Sequence, residues 1–254
     1  MATATELQQL YIAYFGRPAD PAGLDYWVSS GISTKSFAAV MFAQPEFQSV
    51  NSGLSVETQV NQLYINLFGR PADAAGLLYW TNQINTGQIA LASVANDLIF
   101  SATNSGAASA ADLAALTNKT STAVSYTAGL LADTDALLAY QPQSTSPWIS
   151  GANFAAAVSF MTTATATNIP TAAQITASVD SVGEAGTQGQ TFTLTTSVDA
   201  IAGSALNDTI TGVIANTGNA NTTGTTFQAG DIINGGAGTD TLSISVAGGT
   251  TGTN

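Results

Sequence analysis

The sequence contains no cysteine and no histidine. Those two absences together exclude zinc sites built on thiolate or imidazole, thiol nucleophiles, Ser-His-Asp triads and histidine general bases. Positive charge is scarce as well. Only 4 Lys+Arg stand against 16 Asp+Glu in 254 residues, and charged residues make up 8% of the chain, where about 25% is usual. Arg17, Lys35, Arg70 and Lys119 are scattered singly, unlike the clustered bases that neutralise nucleic-acid phosphates or hold a polybasic segment on a membrane. No apolar run approaches the roughly 20 residues of a spanning helix, so no transmembrane segment is expected. The opening MATATELQQLYIAYF lacks the basic n-region of a signal peptide. Lack of cysteine suits a secreted protein and a cytosolic one equally.

Catalytic motifs are missing too. There is no G-x-S-x-G elbow, and neither lysine follows a phosphate-binding glycine loop. Asp133 and Asp135 are two apart, so on a helix they face different ways and make a poor acid/base pair. No enzyme active site is expected.

What is present divides near residue 175. All 7 Pro and all 3 Trp precede that point and 14 of the 24 Gly follow it, which marks a domain boundary. Residues 176–254 carry six acidic groups and no base.

The first part repeats itself. Leu10 to Trp27 (LYIAYFGRPADPAGLDYW) recurs as Leu63 to Trp80 (LYINLFGRPADAAGLLYW), an offset of 53 residues. Apolar residues at helical spacing lead each copy: Leu7, Leu10, Tyr11, Tyr14 and Phe15 in one, Val56, Val60, Leu63, Tyr64, Leu67 and Phe68 in the other. Gly16 and Gly69 sit where a left-handed cap ends a helix. Asp20 before Pro21, and Asp73, are N-cap carboxylates opening a second helix that ends at Gly31 or Gly87. A third helix follows in each copy, with Ser33 and Ser36 at its start in the first. The expected unit is three helices, with copies at about 5–52 and 56–104 inside a 1–105 domain. Residues 106–178 read as further Ala-rich helix, with Leu113, Leu116, Val124, Leu130, Leu131, Leu137, Leu138, Phe154, Val158 and Met161 as apolar positions, and with Pro142 and Pro147 bracketing a turn that presents Trp148. From about 179 to 254 the pattern becomes short β-type runs, TFTLTT and TLSISV, between Gly, Asn and Asp. The expected fold class is multidomain, α then β: an all-α N-terminal domain on two three-helix repeats, then a β-rich calcium-binding segment leading into a β-roll or β-solenoid.

Gly235 to Ser243, GGAGTDTLS, fits the nonapeptide G-G-x-G-x-D-x-U-x at every specified position. Glycines let the backbone turn and aim carbonyl oxygens inward, Asp240 adds a hard carboxylate, and Leu242 is expected to point into the core of a parallel β-roll. Such an oxygen cage suits calcium. Degenerate relatives lie upstream, around Asp231 and in GSALNDTITG around Asp208. The candidate calcium ligands are Asp199, Asp208, Asp231, Asn234, Gly236, Gly238 and Asp240. With no base in this half, clustered acids need a counter-charge that a divalent cation supplies. Gly236 and Gly238 also begin like a dinucleotide fingerprint, but Thr241 occupies the third glycine position and no helix follows.

The repeated Arg17/Arg70, Tyr26/Tyr79 and Trp27/Trp80 admit two readings. In one, each Arg pairs with the cap carboxylate or the preceding helix's carbonyls and each Trp anchors a small bundle. In the other, these groups, with Trp148, grip sugar rings of a surface polysaccharide.

The doubled FGRPAD…AGL.YW unit resembles the helical repeat of unknown function found near the start of bacterial S-layer and haemolysin-like secreted proteins. FTLTTSVDAIAGSALNDTITG, followed by FQAGDIINGGAGTDTLSI, resembles the passage of a calcium-dependent S-layer protein into its repeats-in-toxin β region. The two resemblances cover about residues 5–105 and 190–246. They imply an extracellular, cell-surface structural protein exported by a C-terminal type I signal. Its helical part would anchor a self-assembling lattice to lipopolysaccharide or another polysaccharide, and its β part would fold with calcium. They also imply that the chain is the front of a longer protein. Alternatives from the same modules are a secreted adhesin or motility protein without a lattice, and the accessory region of a larger secreted hydrolase or toxin.

Overall fold

The computed structural model describes residues 1–104, 110–142, 144–203, 206–215, 224–236 and 239–247. The chain forms two compact units, Met1–Gly183 and Glu184–Asn254.

In the first unit α1 (Ala4–Phe15) opens with a capping box, in which Thr3 accepts from the Glu6 N–H and Glu6 accepts from the Thr3 N–H. It ends at Gly16, whose φ of 66° is left-handed and favours glycine. α2 (Pro21–Ser29) starts on the Asp20 cap with proline at the first turn, and α3 (Thr34–Ala43) starts on Ser33. The second copy repeats the plan: α5 (Val56–Phe68) closes at Gly69 with φ 70°, and α6 (Ala74–Asn85) opens on Asp73. A 3-10 turn at Leu91–Ser93 leads into α7 (Val94–Asn104).

The unit differs from three helices. Pro45 cannot continue α3 and instead starts a fourth helix, α4 (Pro45–Asn51). The long α8 (Ala110–Ala132) then takes the corresponding place after α7. Leu116 of α8 shares one buried cluster with Leu7, Leu10, Leu63 and Leu67. The core therefore runs across residue 105 without a break. The inward stripe of α8 is Leu116, Lys119, Ala123, Tyr126 and Leu130, at helical spacing. Leu113, Val124 and Leu131, also apolar positions of this helix, lie on other faces and are exposed.

After α9 (Thr134–Ala139) the chain makes a β-hairpin, β1 (Ser144–Thr145) against β2 (Trp148–Ile149), at the expected proline-bracketed turn of an otherwise helical stretch. α10 (Ala152–Met161) and α11 (Ala172–Thr187) follow, so helix extends past the expected change at 178. No helix among the described residues is long and apolar enough to cross a membrane.

Side chains from one helix satisfy the carbonyls at the end of another. Asn66 Nδ2 of α5 donates to Ala13 O of α1 at 2.9 Å, and Lys119 Nζ of α8 donates to Asn66 O at 2.7 Å. Ala13 and Asn66 are equivalent positions of the repeat, so each copy's final turn is bound by the next inward helix. Lys119 is buried, and that burial lowers its ammonium to about 8. Below pH 8 the charged form costs the folded state about 3 kcal/mol. As pH rises from about 8 toward 10 the folded chain has shed this proton while the unfolded chain still holds it, so stability should increase. Above about 10 the sign reverses, because unfolded tyrosines ionise there while burial pushes the hydroxyls of Tyr11, Tyr14 and Tyr140 well up. Urea midpoints read by tryptophan fluorescence should trace this rise and fall. Lys119→Met should flatten the rise; an unchanged rise in that variant would refute the assignment.

In the second unit β3 (Gln188–Thr193), β5 (Asn207–Ala215) and β7 (Thr241–Ala247) form one parallel sheet in the order β3-β5-β7. β4 (Ala200–Ala202) and β6 (Ile232–Asn234) form a second parallel pair. Ala200↔Ile232 and Thr209↔Thr241 both pair at a separation of 32 residues, so the segment from 199 to 215 stacks in register on the segment from 231 to 247. Gly212 lets Leu194 and Ile244 close over the sheet, since a Cβ there would meet both at 2.9 Å. Leu194 and Ile210 are buried, but Leu242, expected in the core, is 47% exposed. Among the described residues no strand pairs with the outer edge of β7, and Leu242 and Val246 on that strand are exposed.

Candidate functional site

The repeated motif builds the same cleft twice, and nearly every residue of it has a local task. Asp20 Oδ1 caps the Gly23 N–H at 2.6 Å and Asp73 Oδ1 caps the Gly76 N–H at 2.8 Å. The glycines are required by a neighbour: a Cβ on Gly23 would come within 2.9 Å of the Tyr11 hydroxyl, and one on Gly76 within 2.7 Å of that of Tyr64. Tyr64 Oη in turn accepts from Trp80 Nε1 at 3.1 Å. Trp80 is buried and Trp27 half-buried, each edge-on to an exposed tyrosine, Tyr79 or Tyr26, at centroid distances of 5.0 and 4.9 Å.

Each arginine finds its main partner on the helix that follows the third of its own copy. Arg17 is buried, with Nε and Nη2 on the two carboxylate oxygens of Glu46 in α4 at 2.6 and 2.7 Å and Nη1 on Pro18 O at 3.0 Å. Arg70 holds Asp112 at the start of α8 by the same fork, 2.7 Å at both bonds, with Nη1 on Pro71 O at 3.0 Å. The cap carboxylate expected as partner is a secondary contact in copy two, with Asp73 at 3.7 Å from Nη1, and the carbonyl that accepts belongs to the residue after the arginine. Bidentate geometry of this kind is the strongest form of the pair.

The two clefts differ in what covers them. In copy one the Phe154 ring lies 4.0 Å from the Arg17 guanidinium carbon and Tyr140 Oη donates to Pro18 O at 2.9 Å. Trp148, expected free in its loop, stacks on Phe154 at 6.2 Å and 21°. The space left is about 330 Å³. In copy two the cleft bounded by Tyr64, Arg70, Asp73, Tyr79, Trp80 and Asp112 is about 590 Å³, and the Arg70 side chain is 37% exposed against 5% for Arg17. Glu46 and Asp112 lie outside the repeated run, which therefore does not mark them, and Phe154, an apolar position in the sequence, carries no sign there that it covers Arg17. Tyr11/Tyr64 and Gly23/Gly76 stand inside it and were open to the same reading as Trp27/Trp80.

The candidate calcium ligands fall at two corners of the β unit. At the first, Asp199 accepts from the Thr195 N–H at 2.7 Å and Thr195 Oγ1 at 2.9 Å, while Asp231 accepts from the N–H groups of Asp199 at 2.9 Å and Gln228 at 2.7 Å. These carboxylates cap turns. At the second, Asp240 accepts from the Asp208 N–H at 2.9 Å and Asp208 accepts from the Gln190 N–H. Asp208 is buried, and a Cβ at Gly189 or Gly203 would overlap its carboxylate, as one at Gly235 would overlap that of Asp240. The Gly235 carbonyl oxygen closes on Gly203 from the same side as Asp208. Glycines thus leave a cradle of hard oxygens that fits a calcium ion in kind. Asn234 Oδ1 is used by the Gly236 N–H at 3.0 Å, Gly236 has a left-handed φ of 94°, and Gly238 lies outside the described residues. Among the described residues no three acidic side chains converge on one point.

A family described as a domain of unknown function (DUF4214) matches residues 38–107, covering the end of the first copy and the whole of the second. Comparison with curated proteins and with solved structures gave no match.

Proposed function

We propose that this chain is the N-terminal part of a calcium-dependent bacterial surface-layer protein, exported to the cell exterior. The helical unit anchors it to lipopolysaccharide or another surface polysaccharide, and the β unit folds and assembles with calcium. The observation that carries this reading is the corner where Asp208 and Asp240 occupy successive layers at a 32-residue spacing, against glycines that leave room for nothing but their oxygens. Residues 176–254 hold no Lys or Arg to offset these charges. Asp208, Asp240 and the Gly235 carbonyl would hold the ion, which would supply the counter-charge and tie one layer to the next. Parallel layers with glycine–aspartate corners are also the arrangement that nonapeptide repeats produce. On the helical unit, the exposed ring of Tyr26 offers an aromatic face to sugar, and an anionic protein can meet anionic glycan through bridging calcium.

The test is sedimentation of the chain with purified lipopolysaccharide in calcium at about 1 mM and in chelator, alongside circular-dichroism melting of the β signal. Calcium-dependent co-sedimentation, together with a β transition that calcium raises in the parent and not in Asp240→Asn, is the expected result. Equal behaviour in calcium and chelator in both measurements would remove the reading.

A further inference from the structure

We infer that the copy-two cleft around Arg70 is a docking site for aromatic side chains of a protein segment, because copy one displays the same cleft already filled by such a segment. The clefts share Tyr11/Tyr64, Arg17/Arg70, Asp20/Asp73, Gly23/Gly76 and Trp27/Trp80, and each adds one acid from a following helix. Counting the arginine, the cap aspartate and that acid, each carries a net charge of −1, and what copy one accommodates is neutral and planar. Phe154 lays its ring on the guanidinium and Tyr140 gives its hydroxyl proton to the carbonyl of the proline after the arginine.

The demands of the two clefts are therefore the same, and only one is met within the described residues. Arg70 has the Tyr64 ring 5.5 Å from its guanidinium carbon, and among the described residues no second ring stands over it as Phe154 stands over Arg17. Pro71 O accepts from Arg70 Nη1, and among the described residues no tyrosine hydroxyl joins it as Tyr140 joins at Pro18 O. The copy-two cleft is larger by about 260 Å³, the difference between about 590 and about 330 Å³. A guanidinium fixed in its plane by a carboxylate fork is a ready platform for an aromatic face. Exposed Tyr79 beside it provides a rim of the kind that aromatic anchors use. The occupant is thus a peptide segment carrying a phenyl ring and a tyrosine hydroxyl, spaced as in residues 140–154.

The probe is a synthetic peptide of residues 138–156, titrated into the intact isotopically labelled chain and followed by NMR. The indole N–H of Trp80 and the amides of Arg70 and Gly76 should shift and saturate while that of Arg17, whose cleft is filled, stays still. Tyr140→Ala with Phe154→Ala in the peptide should weaken binding by about tenfold or more, the loss expected on removing two anchors. Tyr79→Ala in the protein, an exposed substitution that leaves the core intact, should weaken it too. Absence of any shift at these groups at millimolar peptide, or an equal response to the alanine peptide, would overturn the assignment. So would lipopolysaccharide oligosaccharide shifting the same resonances when the peptide does not, which would make the cleft a carbohydrate site.

Discussion

Glu46→Gln should destabilise the helical unit by about 3 kcal/mol, the lower end of what removing one partner from a buried ion pair costs. Arg17 is 4% exposed and enclosed by Phe154, Tyr140, Phe15 and Tyr11. With Gln at position 46 the guanidinium keeps the amide oxygen and Pro18 O as acceptors but loses the compensating charge. The equivalent change in copy two, Asp112→Asn, should cost nearer 1 kcal/mol, because the Arg70 side chain is 37% exposed and solvent screens it. All three tryptophans lie in the helical unit, so the urea transition of tryptophan fluorescence reports the difference directly. If the cost comes from a stranded charge, adding Arg17→Met to Glu46→Gln should recover most of the loss. Equal effects at the two sites would show that burial does not set the strength of these pairs.

That asymmetry is the part of the helical unit the sequence conceals. Gly16 and Gly69, Asp20 and Asp73, Pro21 and Ser33 are legible because each acts on backbone within four residues of itself. Glu46 and Asp112 act across 29 and 42 residues, differ in type and in distance from their arginines, and so leave no repeated trace. α4 is hidden because Pro45 reads equally as the end of α3 and as the first turn of a new helix. The hairpin of β1 and β2 is set by what covers Arg17, where Trp148 stacks on Phe154, rather than by periodicity of its own. In the β unit the nonapeptide points to a glycine–aspartate corner, whereas the 32-residue register of two stacked segments is carried by seven identical pairs scattered over seventeen positions, Asp199/Asp231, Ile201/Ile233, Gly203/Gly235, Ala205/Ala237, Asp208/Asp240, Thr209/Thr241 and Ala215/Ala247, with no run longer than two. Leu242 pairs in register with buried Ile210 and so shares its face, but its exposure depends on a further layer, which alternation within one strand cannot reveal.

Gly203→Ala should abolish the β unit while leaving the tryptophan transition of the helical unit where it was. A Cβ at 203 would overlap the Gly235 carbonyl oxygen and the buried Asp208 carboxylate together. Neither can swing aside as the end of a flexible side chain does. The Gly235 carbonyl follows directly on Asn234, whose own carbonyl takes the Gly203 N–H at 2.8 Å, and Asp208 is bound to the Gln190 N–H of the neighbouring strand. Overpacking commonly costs 1–3 kcal/mol, and here the obstruction is backbone, in a unit whose buried large apolar side chains include little beyond Leu194 and Ile210. Gly230→Ala is the matched control, since its Cβ would meet only Val198 side-chain atoms at 2.9 Å and beyond, and Val198 is exposed and free to move. Hydrogen exchange should then show loss of protection across β5 and β7 in Gly203→Ala and its retention in Gly230→Ala. Calcium should fail to restore the former, because the added carbon sits among the oxygens that would receive the ion. Protected strands in Gly203→Ala would mean that the corner has room to spare, and with it the tight cradle on which the calcium reading rests would be gone.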